Sequence, residues 1–90
     1  MQVRVITFGE LTEILGKEFS VDLVKGDDFS ALLALLEEKS RSQEGYLGSY
    51  RVKDEVAILI NGRSIHLLEG MKTRLTEGDI VYLLLPFAGG

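Results

Sequence analysis

Apolar positions along this chain follow two periods. Gln2 to Phe8 (QVRVITF) is β-branched and aromatic and carries a single charge, as expected of a strand with at least one buried face. In Gly9–Gly16, Leu11, Ile14 and Leu15 share the i, i+3, i+4 spacing of a helical face, and Gly16 stands where a short helix would end. Phe19 to Val24 returns to period two, with Phe19, Val21 and Leu23 on one face and Ser20, Asp22 and Val24 on the other. That alternation predicts a half-exposed edge strand, closed by a turn at Lys25-Gly26-Asp27. Behind Asp28, whose short carboxylate can accept the unpaired amide protons of a first turn, Phe29, Leu32, Leu33 and Leu36 repeat at i, i+3, i+4, i+7. They predict the main amphipathic helix, running to about Lys39.

Ser40 to Glu55 is polar and charged, with Tyr46, Leu47 and Tyr50 as scattered anchors, and reads as a long, partly ordered loop. Val56 to Ile60 is a compact apolar strand. Asn61-Gly62 follows it, the dipeptide best suited to a tight hairpin because both positions tolerate positive φ, and a return strand is predicted over Arg63–Leu67. Leu75-Thr76-Glu77-Gly78-Asp79 supplies another turn before the last strand, Ile80–Leu85, where Pro86 interrupts the ladder. The order is strand, strand, helix, strand, short strand, strand: one α+β domain over residues 1–90, a mixed, curled sheet of four to five strands packed on one main helix. The opposite sheet face has nothing from its own chain to cover it. Because Ile80–Leu85 is apolar at both parities, some of those side chains should point to that uncovered face, a candidate binding surface.

Composition narrows the chemistry. With 46% hydrophobic and 27% charged residues the chain has a globular balance. The absence of cysteine removes disulfides, zinc–thiolate sites, iron–sulfur clusters and cysteine nucleophiles together. A net charge of −4 without a basic face argues against nucleic acid or an anionic membrane as partner. The longest apolar runs, Ala31–Leu36 and Ile80–Leu85, are too short to span a bilayer and Met1–Phe8 lacks a signal-peptide layout, so a cytoplasmic location is the expectation.

Catalytic constellations are weak. The single histidine, His66, falls near a turn and reads as a surface residue. Glu10, Glu13, Glu37 and Glu38 lie where helices begin and end and fit a solvated face better than paired acid/base work, and the glycines at 9, 16 and 26 do not form a phosphate-cradling loop. No metal site and no catalytic residue of the chain's own is expected. The tail is different. From Phe87 to Gly90 an extended backbone spans at most about 13–14 Å, enough to thread a terminal carboxylate into a pocket on another protein. Gly89 and Gly90 lack Cβ, so pocket walls can close around the backbone. An ionised carboxylate is unreactive and must be activated, for example as an acyl-adenylate, before a nucleophile can attack it. Gly90 would then be substrate and carrier while another protein supplies catalysis.

Val3-Arg4-Val5-Ile6-Thr7-Phe8 with its following short helix, Ile60-Asn61-Gly62, Leu75-Thr76-Glu77-Gly78-Asp79-Ile80-Val81 and Pro86-Phe87-Ala88-Gly89-Gly90 together resemble the ubiquitin-like β-grasp sulfur carriers. Within these the chain is most similar to the small subunit of molybdopterin synthase (MoaD type), with the thiamin-pathway carrier (ThiS) as a cousin. The resemblance implies that a ubiquitin-activating-type adenylyltransferase (MoeB type) uses ATP and Mg²⁺ to adenylate Gly90. A sulfur donor then makes the thiocarboxylate, and the large synthase subunit (MoaE type) delivers sulfur to the pterin precursor of the molybdenum or tungsten cofactor. It also implies that Gly89 gives clearance and that Ala88, Phe87 and Pro86 position a flexible tail over residues 86–90. Tyr82, Leu84 and Phe87 would form the partner-docking surface. The chain departs from the usual family tail at Leu85, where a second proline is common, and at Phe87, where a small aliphatic residue is common.

Two other readings share this fold. One is a ubiquitin-like protein modifier of the archaeal small modifier type, joined through Gly90 to target-protein lysines. The other is an interaction module whose glycines are inert.

Overall fold

The sheet is built outward from β1, Gln2–Phe8, in the computed structural model, which describes residues 1–40 and 56–84. β2, Glu18–Asp22, pairs antiparallel to one side of β1 and forms the edge that its alternation predicts. On the other side β1 pairs parallel with β5, Ile80–Leu84, and beyond β5 lie β3, Ala57–Ile60, and β4, Arg63–Ser64, both antiparallel. The order β2-β1-β5-β3-β4 therefore puts the first and last strands at the centre, where each is flanked on both edges. Two helices complete it: α1, Glu10–Leu15, and α2, Phe29–Ser40.

One face of this sheet is covered. Val3, Val5 and Thr7 of β1, Val81 and Leu83 of β5 and Ile58 and Ile60 of β3 are buried on it, each set at the period of two that a pleated strand imposes. Phe29, Leu32 and Leu36 of α2 join the same core, as the helical stripe predicts, and Leu11, Ile14 and Leu15 of α1 close one end. Each large side chain buried in this way contributes about 1.5–3 kcal/mol of transfer free energy, the main force holding helix to sheet. Buried Thr7 is satisfied: its hydroxyl donates to the carbonyl of Gly16, and Thr12 Oγ1 donates to the Thr7 carbonyl at 3.1 Å, tying α1 back to β1.

Asp28 does what its place in the sequence suggests. Its Oδ1 accepts the Ala31 amide at 3.1 Å and the Ser30 hydroxyl at 2.6 Å, capping the first turn of α2. The Ser30 hydroxyl, followed by the Ala31 amide, holds the Asp28 carboxyl below its ordinary pKa, because both stabilise the ionised form.

Asn61 and Gly62 have φ of 52° and 86°, the pair of positive values that a tight two-residue hairpin turn requires. Asn61 does more than turn the chain. Its Nδ2 donates to Asp79 Oδ1 at 2.9 Å and its Oδ1 accepts the Ile80 amide at 3.0 Å, while Asp79 also accepts from Thr76 N and Oγ1 at 2.8 and 2.9 Å. The β3–β4 turn and the start of β5 are thus one hydrogen-bonded unit.

The structure departs from the sequence reading in several places, beginning with β2 at Glu18 rather than Phe19 and β3 at Ala57 rather than Val56. The return strand expected over Arg63–Leu67 is only Arg63–Ser64; the Ser64 hydroxyl accepts the His66 amide and draws Ile65–Leu67 into a 3₁₀ turn that drops Ile65 into the core. A second 3₁₀ turn, Gly70–Lys72, was not foreseen; the Thr73 hydroxyl closes it by donating to the Gly70 carbonyl at 2.7 Å. β2 ends at Asp22 rather than Val24, because Val24 turns outward and its amide donates to Asp27 Oδ2. The loop anchors Tyr46, Leu47 and Tyr50, Leu85 and the tail residues Pro86, Phe87, Ala88, Gly89 and Gly90 lie outside the described residues.

Candidate functional site

The second face of the sheet is covered by neither helix, and its register shows how the candidate surface is assembled. Tyr82 of β5 lies between Ile6 of β1 and Leu59 of β3, and Leu84 lies between Phe8 and Ala57. Directly paired residues share a face, so these six side chains form two adjacent rows across three strands. Phe8 and Tyr82 stack with ring centroids 6.4 Å apart and planes 20° from parallel. Phe8 remains 45% exposed, whereas Ile6, Leu59, Tyr82 and Leu84 are half-buried by one another. An apolar cluster on a sheet face that no described helix covers is the kind of surface that marks an interaction site.

Character changes along the sheet. Away from this cluster, the next row is Ile80, Arg4 and Ser20, and beyond it Gln2 pairs with Asp22. Arg4 pairs with Glu18 at 3.4 Å and Gln2 Nε2 donates to Asp22 Oδ1 at 2.8 Å. A shallow hollow of about 330 Å³ lies at this polar end, lined by Gln2, Arg4, Ser20 and Glu77 among others, and is separate from the apolar rows. The apolar rows sit at the opposite end, where β5 reaches Leu84, the last described residue before Leu85–Gly90.

Of the residues expected to dock a partner, Tyr82 and Leu84 are both on this open face, as the two-parity apolar character of β5 implies. Phe87, like Gly89 and Gly90, falls outside the described residues. Phe8, Ile6 and Leu59 were missed. The outward parity of QVRVITF turns apolar at its C-terminal end, a visible signal, but only the parallel pairing with β5 reveals that Ile6 and Phe8 meet Tyr82 and Leu84. His66 is exposed in its 3₁₀ turn, as expected of a surface residue. Among the described residues no three His, Cys, Asp or Glu side chains gather into a set able to hold a metal ion, and no helix is long and apolar enough to cross a membrane.

A five-stranded mixed sheet with β1 and β5 parallel at its centre, one main helix on one face and an apolar cluster on the other defines a ubiquitin-like β-grasp protein. The ThiS family model matches residues 5–90, and the chain belongs to that family. It is 31% identical to small archaeal modifier protein 3 of Haloferax volcanii over 94 residues, covering 100% of both chains. Among solved structures it is similar to small archaeal modifier protein 1 of Methanosarcina acetivorans, at 30% identity and a TM-score of 0.76, covering 99% of this chain and 96% of that one. It is also similar to a chain in the complex of subunits 1 and 2 of the molybdopterin-converting factor of Helicobacter pylori 26695, at 29% identity and a TM-score of 0.66 with 100% of each chain covered. A molybdopterin-converting-factor subunit and small archaeal modifier proteins are thus both represented among the proteins it is similar to.

Proposed function

We propose that this chain is a sulfur carrier, the small subunit of a molybdopterin synthase, whose Gly90 carboxylate is adenylated and then converted to a thiocarboxylate by partner enzymes. The observation that carries this reading is the apolar cluster of Phe8, Tyr82 and Leu84 on the face opposite α2, at the end of the sheet from which the chain continues to Gly89-Gly90. A partner seated on that cluster would hold the chain while its own pocket receives the tail, which divides the labour between an apolar docking face and a slender reactive end. The Helicobacter pylori relative, seen as one subunit of a two-subunit molybdopterin-converting factor, supports such a partner.

The chemistry asked of the chain is small. Adenylation turns the Gly90 carboxylate into a mixed anhydride with AMP as leaving group; a sulfur nucleophile displaces the AMP, and ATP and Mg²⁺ belong to the activating enzyme. The thiocarboxylate then delivers sulfur to the pterin precursor on the large subunit. Pro86, Phe87 and Ala88 would set the approach of the tail, and Gly89 would let a narrow channel close on the backbone.

A second reading is favoured by the whole-length similarity to small archaeal modifier protein 3: the same activated Gly90 is attacked by a lysine amine and forms an isopeptide with a target protein. Both readings share the activation step and differ in the acceptor. Removing Gly89 and Gly90 in the native host, with cofactor content and lysine conjugates measured side by side, separates them. Loss of cofactor with no conjugates to lose supports the carrier, and loss of conjugates with cofactor intact supports the modifier. An unchanged host on both counts leaves neither, and the glycines are then inert.

A further inference from the structure

Asn61-Gly62 is a motif that the proposed carrier reading leaves unused, and its surroundings say more than that a hairpin turns here. Asparagine followed by glycine is chemically labile: without a side chain on the next residue, the glycine amide nitrogen meets little obstruction in approaching the asparagine Cγ. Nothing lies within 4 Å of where a Cβ on Gly62 would stand, so that side of the peptide is open. Asn61 is itself exposed and holds a φ of 52°, a conformation glycine adopts more readily.

Against this lability stand the contacts of the side chain. Nδ2 donates to Asp79 Oδ1 at 2.9 Å, Oδ1 accepts the Ile80 amide at 3.0 Å, and the Asn61 backbone amide donates to the Ile80 carbonyl at 2.8 Å. Asp79 is in turn fixed by Thr76. The carboxamide is therefore gripped at both of its heteroatoms by the start of β5, and rotating it onto the Gly62 nitrogen breaks both hydrogen bonds.

We propose that Asn61-Gly62 is a deamidation site that the hydrogen bonds to Asp79 and Ile80 hold silent, and that it reacts when the start of β5 opens. This does not depend on the carrier reading. In the reaction the deprotonated Gly62 nitrogen bonds to Asn61 Cγ and the Cγ–Nδ2 bond breaks, releasing ammonia and closing a five-membered succinimide. Water then opens the ring at either carbonyl to give aspartate or isoaspartate at position 61. Ammonia is the leaving group, water is the co-reactant, and no electrons are gained or lost.

Both products damage the grip that delayed them. Aspartate replaces the Nδ2 donor with a second carboxylate facing Asp79 Oδ1, where like charges repel. Isoaspartate adds a methylene to the main chain of a two-residue turn that has no slack. Either change loosens the tie between the β3–β4 hairpin and β5, the strand that presents Tyr82 and Leu84.

The test compares the full wild-type chain with Asp79→Ala and Asp79→Asn, incubated in mildly alkaline buffer at physiological temperature. Each is followed by intact mass, which rises about 1 Da per event, and by peptide mapping for isoaspartate. Asp79→Ala, which removes the acceptor of Nδ2, is expected to deamidate at Asn61 about five-fold faster, the factor that follows from losing one hydrogen bond; Asp79→Asn, which keeps an oxygen acceptor, stays close to wild type. Circular dichroism establishes that each variant is folded. Should Asp79→Ala unfold, Thr76→Val loosens Asp79 while leaving its carboxylate in place and takes over the comparison. Equal rates in the wild type and the folded loosened variant, an Asp79→Asn rate matching Asp79→Ala, or a wild-type rate equal to that in strong urea would overturn the proposal.

Discussion

Phe8 on β1 and Tyr82 on β5 stack on the open face of the sheet, 6.4 Å between ring centroids and 20° from parallel. The two residues are 74 positions apart in the chain and meet because β1 and β5 run parallel with Ile6 opposite Tyr82 and Phe8 opposite Leu84. Their contact turns two separately unremarkable strands into one apolar surface. Burial of that surface by a partner is where the fold and the proposed function join.

The docking role predicts a separation of binding from folding. Phe8→Asp and Leu84→Asp each place a charge within the apolar rows, and each is expected to weaken association with a synthase-type large subunit by about 2 kcal/mol or more, roughly 30-fold in Kd, as loss of an interface anchor does. Phe8 is 45% exposed before any partner arrives, so its thermal midpoint should move little. Titration calorimetry and a melt on the same samples decide it; equal losses of affinity and of stability would remove Phe8 from the interface.

α2 gives a contrast between its two faces. Phe29 is fully buried in the core, whereas Leu35 is 45% exposed. Phe29→Ala should cost about 3–5 kcal/mol, a large part of the stability of so small a domain, while Leu35→Ala should cost well under about 1 kcal/mol. Urea midpoints measure both, and similar midpoints would mean that the helix does not pack by the stripe described.

The cap at Asp28 predicts a pH dependence with a definite sign. Its folded pKa lies below the ordinary 3.8, because Ser30 and Ala31 hydrogen bonds favour the carboxylate. A group lowered on folding stabilises the native state above its unfolded pKa, and that contribution fades as pH falls through the folded value. Urea stability should therefore decline below about pH 3.8. Asp28→Asn, which keeps a capping oxygen but cannot titrate, should show a shallower decline. Parallel curves for the two proteins would show that the cap does not titrate in this range.

What was legible in the sequence was local. The Phe29, Leu32, Leu33, Leu36 stripe, with Leu33 partly buried against the core and the other three fully within it, the Asp28 cap, the Asn61-Gly62 turn and the apolar outward positions Tyr82 and Leu84 each carry their signal within a few residues, and the structure bears out each of them. Phe8 was not legible as part of the site because its neighbours come from the other end of the chain, and no local period encodes the register of β1 on β5. Ile65–Leu67 misled for a different reason. Its apolar residues suit a strand, but the Ser64 hydroxyl offers the His66 amide a nearer partner than any strand does, and the chain turns. The same competition explains why Asn61 could be read as a turn residue but not as the residue that fastens β5.

The central claim is that Gly90 is activated, and intact mass measures it most directly. The chain is incubated with its cognate activating enzyme, ATP and a sulfur donor, beside a carrier known to respond to that enzyme. A gain of about 16 Da located to the tail, sulfur in place of one oxygen, is the predicted result. A mass that stays unchanged while the control carrier is converted would contradict it.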